Sequence, residues 1–134
     1  MKKIFLSLGL LSLTLLAACG GPDVVGTLKN IESVNVYLYK SDKAVDRVID
    51  KRVVKSNAPG YKAIIQWAKQ HKSDWEQTSK QFAPVLLMES KGISLNIRKD
   101  YIVFTFKEGT YIRKTEINDM AWFKKQLGVV EPPQ

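Results

Sequence analysis

Polar and apolar residues alternate strictly over SVNVYLYK, residues 33 to 40. Val34, Val36 and Leu38 fall on one side, and Asn35, Tyr37 and Tyr39 on the other. A period of two marks a strand with one face on a core. The same period returns over residues 84 to 115, PVLLMESKGISLNIRKDYIVFTFKEGTYIRKT, interrupted at Lys91-Gly92, Lys99-Asp100 and Glu108-Gly109. These pairs are turn formers, so the segment predicts an antiparallel meander of about four strands. Within it Ile93, Leu95 and Ile97 oppose Ser94, Asn96 and Arg98. In the next run Ile102, Phe104 and Phe106 oppose Tyr101, Val103 and Thr105.

Two stretches follow a helical period instead. NAPGYKAIIQWAKQHKSDW places Pro59 in a first turn, where its missing N–H costs nothing. Tyr61, Ile64, Ile65, Ala68 and then His71 or Lys72 recur every three to four residues. That helix ends near Lys72 or runs on to Trp75. A last helix begins at the capping pair Asn118-Asp119, carries Ile117, Met120, Phe123, Lys124 and Leu127 around it, and ends at Gly128. Residues 43 to 55 fit two templates. Val45, Val48, Ile49, Arg52 and Val53 make a helical stripe, while their β-branched character suits a strand returning on the first through Ser41-Asp42-Lys43. The second half leans towards strand.

The fold class predicted is α+β: an antiparallel meander sheet of about 4–6 strands with two helices packed on one face. An antiparallel sheet of this kind can leave its other face wet. The single domain covers residues 33–128. Residues 19–32 carry glycine, proline and little periodicity and read as a flexible tether, and residues 129–134 as a loose tail.

The N-terminus is of another kind. Lys2 and Lys3 precede an uncharged run from Ile4 to Ala18. As a helix those residues would span roughly 22 Å, short of the ~30 Å hydrocarbon core, so they read as the apolar part of an export signal, residues 1–18. The run closes on Leu16-Ala17-Ala18-Cys19. This resembles the lipobox of bacterial lipoproteins, a branched apolar residue, two small residues and a cysteine; the resemblance covers the first 21 residues only. It implies cleavage between Ala18 and Cys19 and a lipid on the Cys19 thiol, which would hold the domain on the membrane. In the enteric members of this class Asp after the cysteine favours inner-membrane retention. Gly20 stands there, so the resemblance implies the outer membrane facing the periplasm. Two alternatives remain open: an ordinary cut near Leu16-Ala17-Ala18 that leaves Cys19 free, or an uncleaved short anchor. Cysteine usage favours the lipid, because Cys19 is the only cysteine and would otherwise be a reactive thiol in an oxidising space.

Beyond the signal, 19 basic residues face 13 acidic ones, a net charge of about +6. On an envelope surface that charge attracts anionic lipid or glycan, or an acidic protein. Arg98, Lys99, Tyr101, Lys107, Tyr111 and Arg113 gather on the meander and form a possible binding face. Basic and aromatic sheet faces also bind single-stranded RNA, but an export signal argues against nucleic acid. The bland alternative is a solvated, lysine-rich face that protects strand edges. Trp67 and Trp122 fall off the main apolar stripes of their helices, which means either exposed interface residues or wide buried faces.

Chemistry is thin. His71 is the sole histidine, no second cysteine is present, and neither a G-x-S-x-G elbow nor a phosphate-binding glycine loop appears. No metal site, cofactor or catalytic residue is assigned, and the acids lie singly. The leading expectation is a non-enzymatic binding or accessory lipoprotein of the envelope. An immunity or inhibitor lipoprotein, blocking a toxin or a cell-wall hydrolase, is the alternative. An enzyme acting on envelope polymers would need converging carboxylates that the spacing does not indicate.

Overall fold

The structure, a computed structural model, describes residues 21–42 and 45–131. The proposed signal, Cys19 and Ala18, the Lys43 turn position and residues 132–134 lie outside the described residues. Seven strands form one antiparallel sheet: β1 (Ser33–Asp42), β2 (Val45–Lys55), β3 (Glu76–Thr78), β4 (Leu86–Ser90), β5 (Ile93–Ile97), β6 (Tyr101–Phe106) and β7 (Gly109–Lys114). Their order is β2-β1-β4-β5-β6-β7-β3. Three helices among the described residues, α1 (Val24–Lys29), α2 (Pro59–Gln70) and α3 (Asp119–Leu127), complete the α+β fold.

The meander forms as its alternation predicts. Cross-strand pairing sets Met88 opposite Leu95 and Leu95 opposite Phe104, so one apolar face runs across the sheet. Val36 and Leu38 of β1 extend it through Met88 and Leu86. Onto this face pack Val24 and Leu28 of α1, Tyr61 and Ile64 of α2, and Phe123 and Leu127 of α3. Lys91 and Gly92 both take positive φ, 47° and 80°, between Ser90 and Ile93. This is the backbone that matches a two-residue turn to strand twist.

Residues 45 to 55 resolve as strand throughout, paired along all of β1. The register shifts between Leu38 and Tyr39, where Ile49 is the unpaired residue. That bulge inverts the parity of the second half, and it explains why a helical stripe and a strand pattern could both be read there.

Three expectations are corrected. Residues 21–32 are not all tether. The Asp23 carboxylate accepts the Gly26 N–H at 2.9 Å and caps α1, and the Tyr61 hydroxyl donates to the Leu28 carbonyl at 2.7 Å. Two buried side chains four residues apart, Val24 and Leu28, suffice to dock so short a helix. The tail from Val129 is not loose within the described residues. Val129 is buried, its N–H closes on the Lys124 carbonyl after Gly128 at φ 66°, and Lys124 pairs with Glu131. Finally, the Asn118 side chain makes no cap to α3. Asp119 instead accepts the Glu116 N–H at 2.8 Å, turning the chain into the helix, and Ile117 is 98 % exposed.

The face opposite the helices is only partly wet. The link from β3 to β4, residues 79–85, must pass from one edge back past β7, β6 and β5. It crosses that face as a strap. Asn96 fastens it, its side-chain oxygen accepting the Val85 N–H at 3.0 Å and its amide donating to the Ala83 carbonyl at 3.1 Å. Under the strap Val103 is buried, although its parity places it away from the helices.

Candidate functional site

The basic and aromatic residues expected to share a surface are divided by the sheet. Arg98 and Tyr101 do lie on the strap side. The Arg98 guanidinium sits 5.6 Å above the Phe82 ring and donates to the Ala83 carbonyl, and Phe82 lies 6.2 Å from Tyr101. Arg98 also pairs with Asp100 at 3.2 Å. Lys99 is exposed in the β5–β6 turn and Lys107 in the β6–β7 turn, at opposite ends of the strands. Tyr111 and Arg113 point to the helix side, because Phe104 pairs with Tyr111 and Ile102 with Arg113. Arg113 is therefore not a surface cation: it is 8 % exposed. The parity of β7 was readable, but a lone arginine on an apolar stripe has no visible partner until helices are placed over it.

That partner is aromatic. The Arg113 guanidinium lies 5.7 Å from the Trp67 ring and 5.8 Å from the Trp75 ring, and it donates to the His71 carbonyl at 3.4 Å. Cation–π contact offsets part of the cost of burying an arginine, and among the described residues no carboxylate pairs with it. The Trp75 indole donates to the same His71 carbonyl at 2.8 Å. The His71 ring stacks on Trp67 at 4.8 Å, and its Nδ1 lies 2.7 Å from the Trp67 carbonyl. A carbonyl only accepts, so Nδ1 carries the proton. His71 thus ends α2 with its ring held on Trp67; among the described residues no group of three metal-ligating side chains converges. Trp67 is buried at 6 % exposure, against the reading of an off-stripe interface residue, because α3 and β7 cover what the stripe would have left open.

Two grooves remain. The larger, about 660 Å³, lies beyond the end of β7 and is lined by Asp74, Glu76, Tyr101, Lys114 and Glu116 along with Arg113. Its carboxylates are exposed and share it with two cations. The carboxylates held below their ordinary range lie elsewhere. At Asp50 and Asp100 desolvation opposes the shift and is outweighed, at Asp50 by bonds from Arg52 and the Val130 N–H, and at Asp100 by backbone N–H groups and Arg98. At Glu131 the bond from Lys124 dominates. A general acid needs the opposite displacement.

The second groove, about 410 Å³, opens between α2 and α3. The helices run antiparallel and touch most closely where Gly60, in the first turn of α2, meets the Gln126 carbonyl in the last turn of α3. At the other end they leave a trough. Trp67, His71 and Trp122 form its apolar part; Gln66, Gln70, Glu116, Asn118 and Asp119 surround them. Trp122 packs edge-on to Phe123 at 5.0 Å, and Phe123 packs edge-on to Trp67 at 5.0 Å.

No known protein family model matches the chain, and it matches no curated protein and no solved structure.

Proposed function

We propose that the protein is a non-enzymatic binding or accessory lipoprotein of a bacterial envelope, held by lipid on Cys19 at the periplasmic side of the outer membrane. The observation that carries this reading is Leu16-Ala17-Ala18-Cys19 at the end of an uncharged run too short to span a bilayer. The start of packing supports it. Gly21 already lies against the Lys72 carbonyl and Trp75, and α1 follows at Val24. A lipidated Cys19 would then be separated from the folded unit by Gly20 alone, a reach of roughly 7 Å over two residues. A domain on so short a leash works at the membrane surface, and the mature charge of about +6 suits an anionic lipid, glycan or acidic protein there.

An immunity or inhibitor role is favoured by one feature, the eleven-residue edge strand β2. Val48 and Val53 are 42 % and 61 % exposed on it, beside unpaired backbone groups that a target strand could meet.

The test is to express the full chain and its Cys19→Ser variant in a bacterial host, fractionate, label lipid and crosslink. Lipid labelling and membrane fractionation of the wild type alone support the anchor, and a stoichiometric crosslinked partner supports the accessory role. A variant that is cut and retained on membrane like the wild type refutes the anchor.

A further inference from the structure

We propose that the groove between α2 and α3 is a binding site for an uncharged saccharide. This rests on the binding-module reading and names its ligand class. Three observations meet there. The first is an aromatic wall: Trp122, half-buried, and the His71 ring, which stacks at 4.8 Å on the buried Trp67 that Phe123 and Trp75 hold edge-on at 5.0 and 6.4 Å. The C–H face of a pyranose packs on such rings. The second is a set of free polar groups around the wall. Gln66 and Gln70, one helical turn apart on α2, face Asn118 at the start of α3 across the groove. Among the described residues, none of these three carboxamides is hydrogen-bonded to protein through its side chain. Each offers donors and an acceptor, the combination that reads hydroxyl or acetamido groups. The third is charge. The groove holds the carboxylates of Glu116 and Asp119 and no lysine or arginine, which disfavours anionic ligands despite the basic character of the whole chain. Its volume, about 410 Å³, is within the usual range for small-ligand sites. The indole N–H of Trp67, beneath the His71 ring, is buried with no hydrogen-bond partner among the described residues.

An apolar peptide helix fits less well, because it would leave those carboxamides unpaired on burial.

The experiment titrates the purified full chain in detergent with maltotetraose and with tetra-N-acetylchitotetraose, following tryptophan fluorescence and the indole N–H resonances. Saturable shifts of Trp122 and Trp67 by either sugar are expected. The exposed pair Gln66→Ala/Gln70→Ala should weaken binding about tenfold without loss of fold, while Val53→Ser on β2 should bind as the wild type does. No saturable shift up to about 10 mM with either sugar overturns the assignment. So does equal binding by the double variant, or tighter binding of oligogalacturonate. Such a failure leaves the crosslinking result, and with it the accessory role, to be judged separately.

Discussion

Replacing Gly60 by alanine would put a methyl group where α3 already is. A Cβ at that position falls 1.8 Å from the Gln126 carbonyl oxygen and 2.7 Å from its carbon. Ordinary carbon–oxygen contacts begin at about 3.3 Å, so α2 and α3 must separate by roughly 1.5 Å or one of them must rotate. The obstacle is backbone, and no rotamer change can remove it. Overpacking of this kind costs about 1–3 kcal/mol, and a rigid helix–helix contact falls at the upper end. Alanine recovers at most ~1 kcal/mol of helix propensity, and less in a first turn, where most backbone donors are unpaired anyway. The expected net loss is about 2 kcal/mol, a fall of roughly 8 °C in Tm for a domain of this size. Urea unfolding followed by tryptophan fluorescence measures it, because Trp67 and Trp75 are buried in the core that the helices cover. A Gln126→Ala background should not rescue the variant, since the clash is with the carbonyl. If Gly60→Ala is as stable as the wild type, the close approach of α2 and α3 is wrong, and the groove they frame is wrong with it.

Three further outcomes follow from two buried polar groups. Tyr61→Phe removes the bond to the Leu28 carbonyl and should cost about 1 kcal/mol, with faster hydrogen exchange in α1 than elsewhere; uniform exchange would mean α1 is not held by this bond. Burial also pushes the Tyr61 hydroxyl up to about 12, so the folded state keeps a proton that the unfolded chain releases near pH 10. Stability is therefore full below pH 10 and declines between pH 10 and 12; the decline should shrink in Tyr61→Phe, and an unchanged alkaline limb would refute its origin in Tyr61. Asn96→Ala strands the Val85 N–H, while Arg98 still donates to the Ala83 carbonyl, and should cost about 1–2 kcal/mol, with new proteolytic cleavage inside residues 79–85. Lost stability without cleavage there would show that Asn96 does not fasten the strap.

The sheet was legible because its signals are local. Alternation, turn pairs and Pro59 each depend on neighbours in sequence, and β1, the meander, α2 and the αL end of α3 appear where those signals lie. What escaped reading depends on contacts distant in sequence. α1 is six residues long and helical because Tyr61, 33 residues on, closes it from outside. β2 carries a bulge at Ile49 that only the register of β1 reveals. The candidate surface failed for a related reason: Tyr111 and Arg113 alternate correctly along β7, but which side of the sheet receives the helices is decided elsewhere. The strap was hidden because crossing the sheet follows from strand order, and residues 79–85 show no period of their own.

The groove's geometry follows from the two ends of one helix pair. At the Gly60 end the absence of a side chain lets α2 and α3 come into backbone contact. At the other end Trp67 and Phe123 are too large for that, so the same two helices must diverge. The divergence would ordinarily close by a slide or a tilt, but the floor resists both. Trp67 is fixed from below by Arg113, whose charge among the described residues is compensated by the two indoles and the His71 carbonyl alone, and His71 is in turn fixed as the end of α2. Moving Trp67 would strand a buried cation, a cost far above that of an open trough. The arginine expected to greet a partner at the surface thus has a different consequence: it holds the buried Trp67 on which His71 stacks, while the residues around them stay exposed. Preorganisation of this kind spares a ligand the entropy of ordering its site.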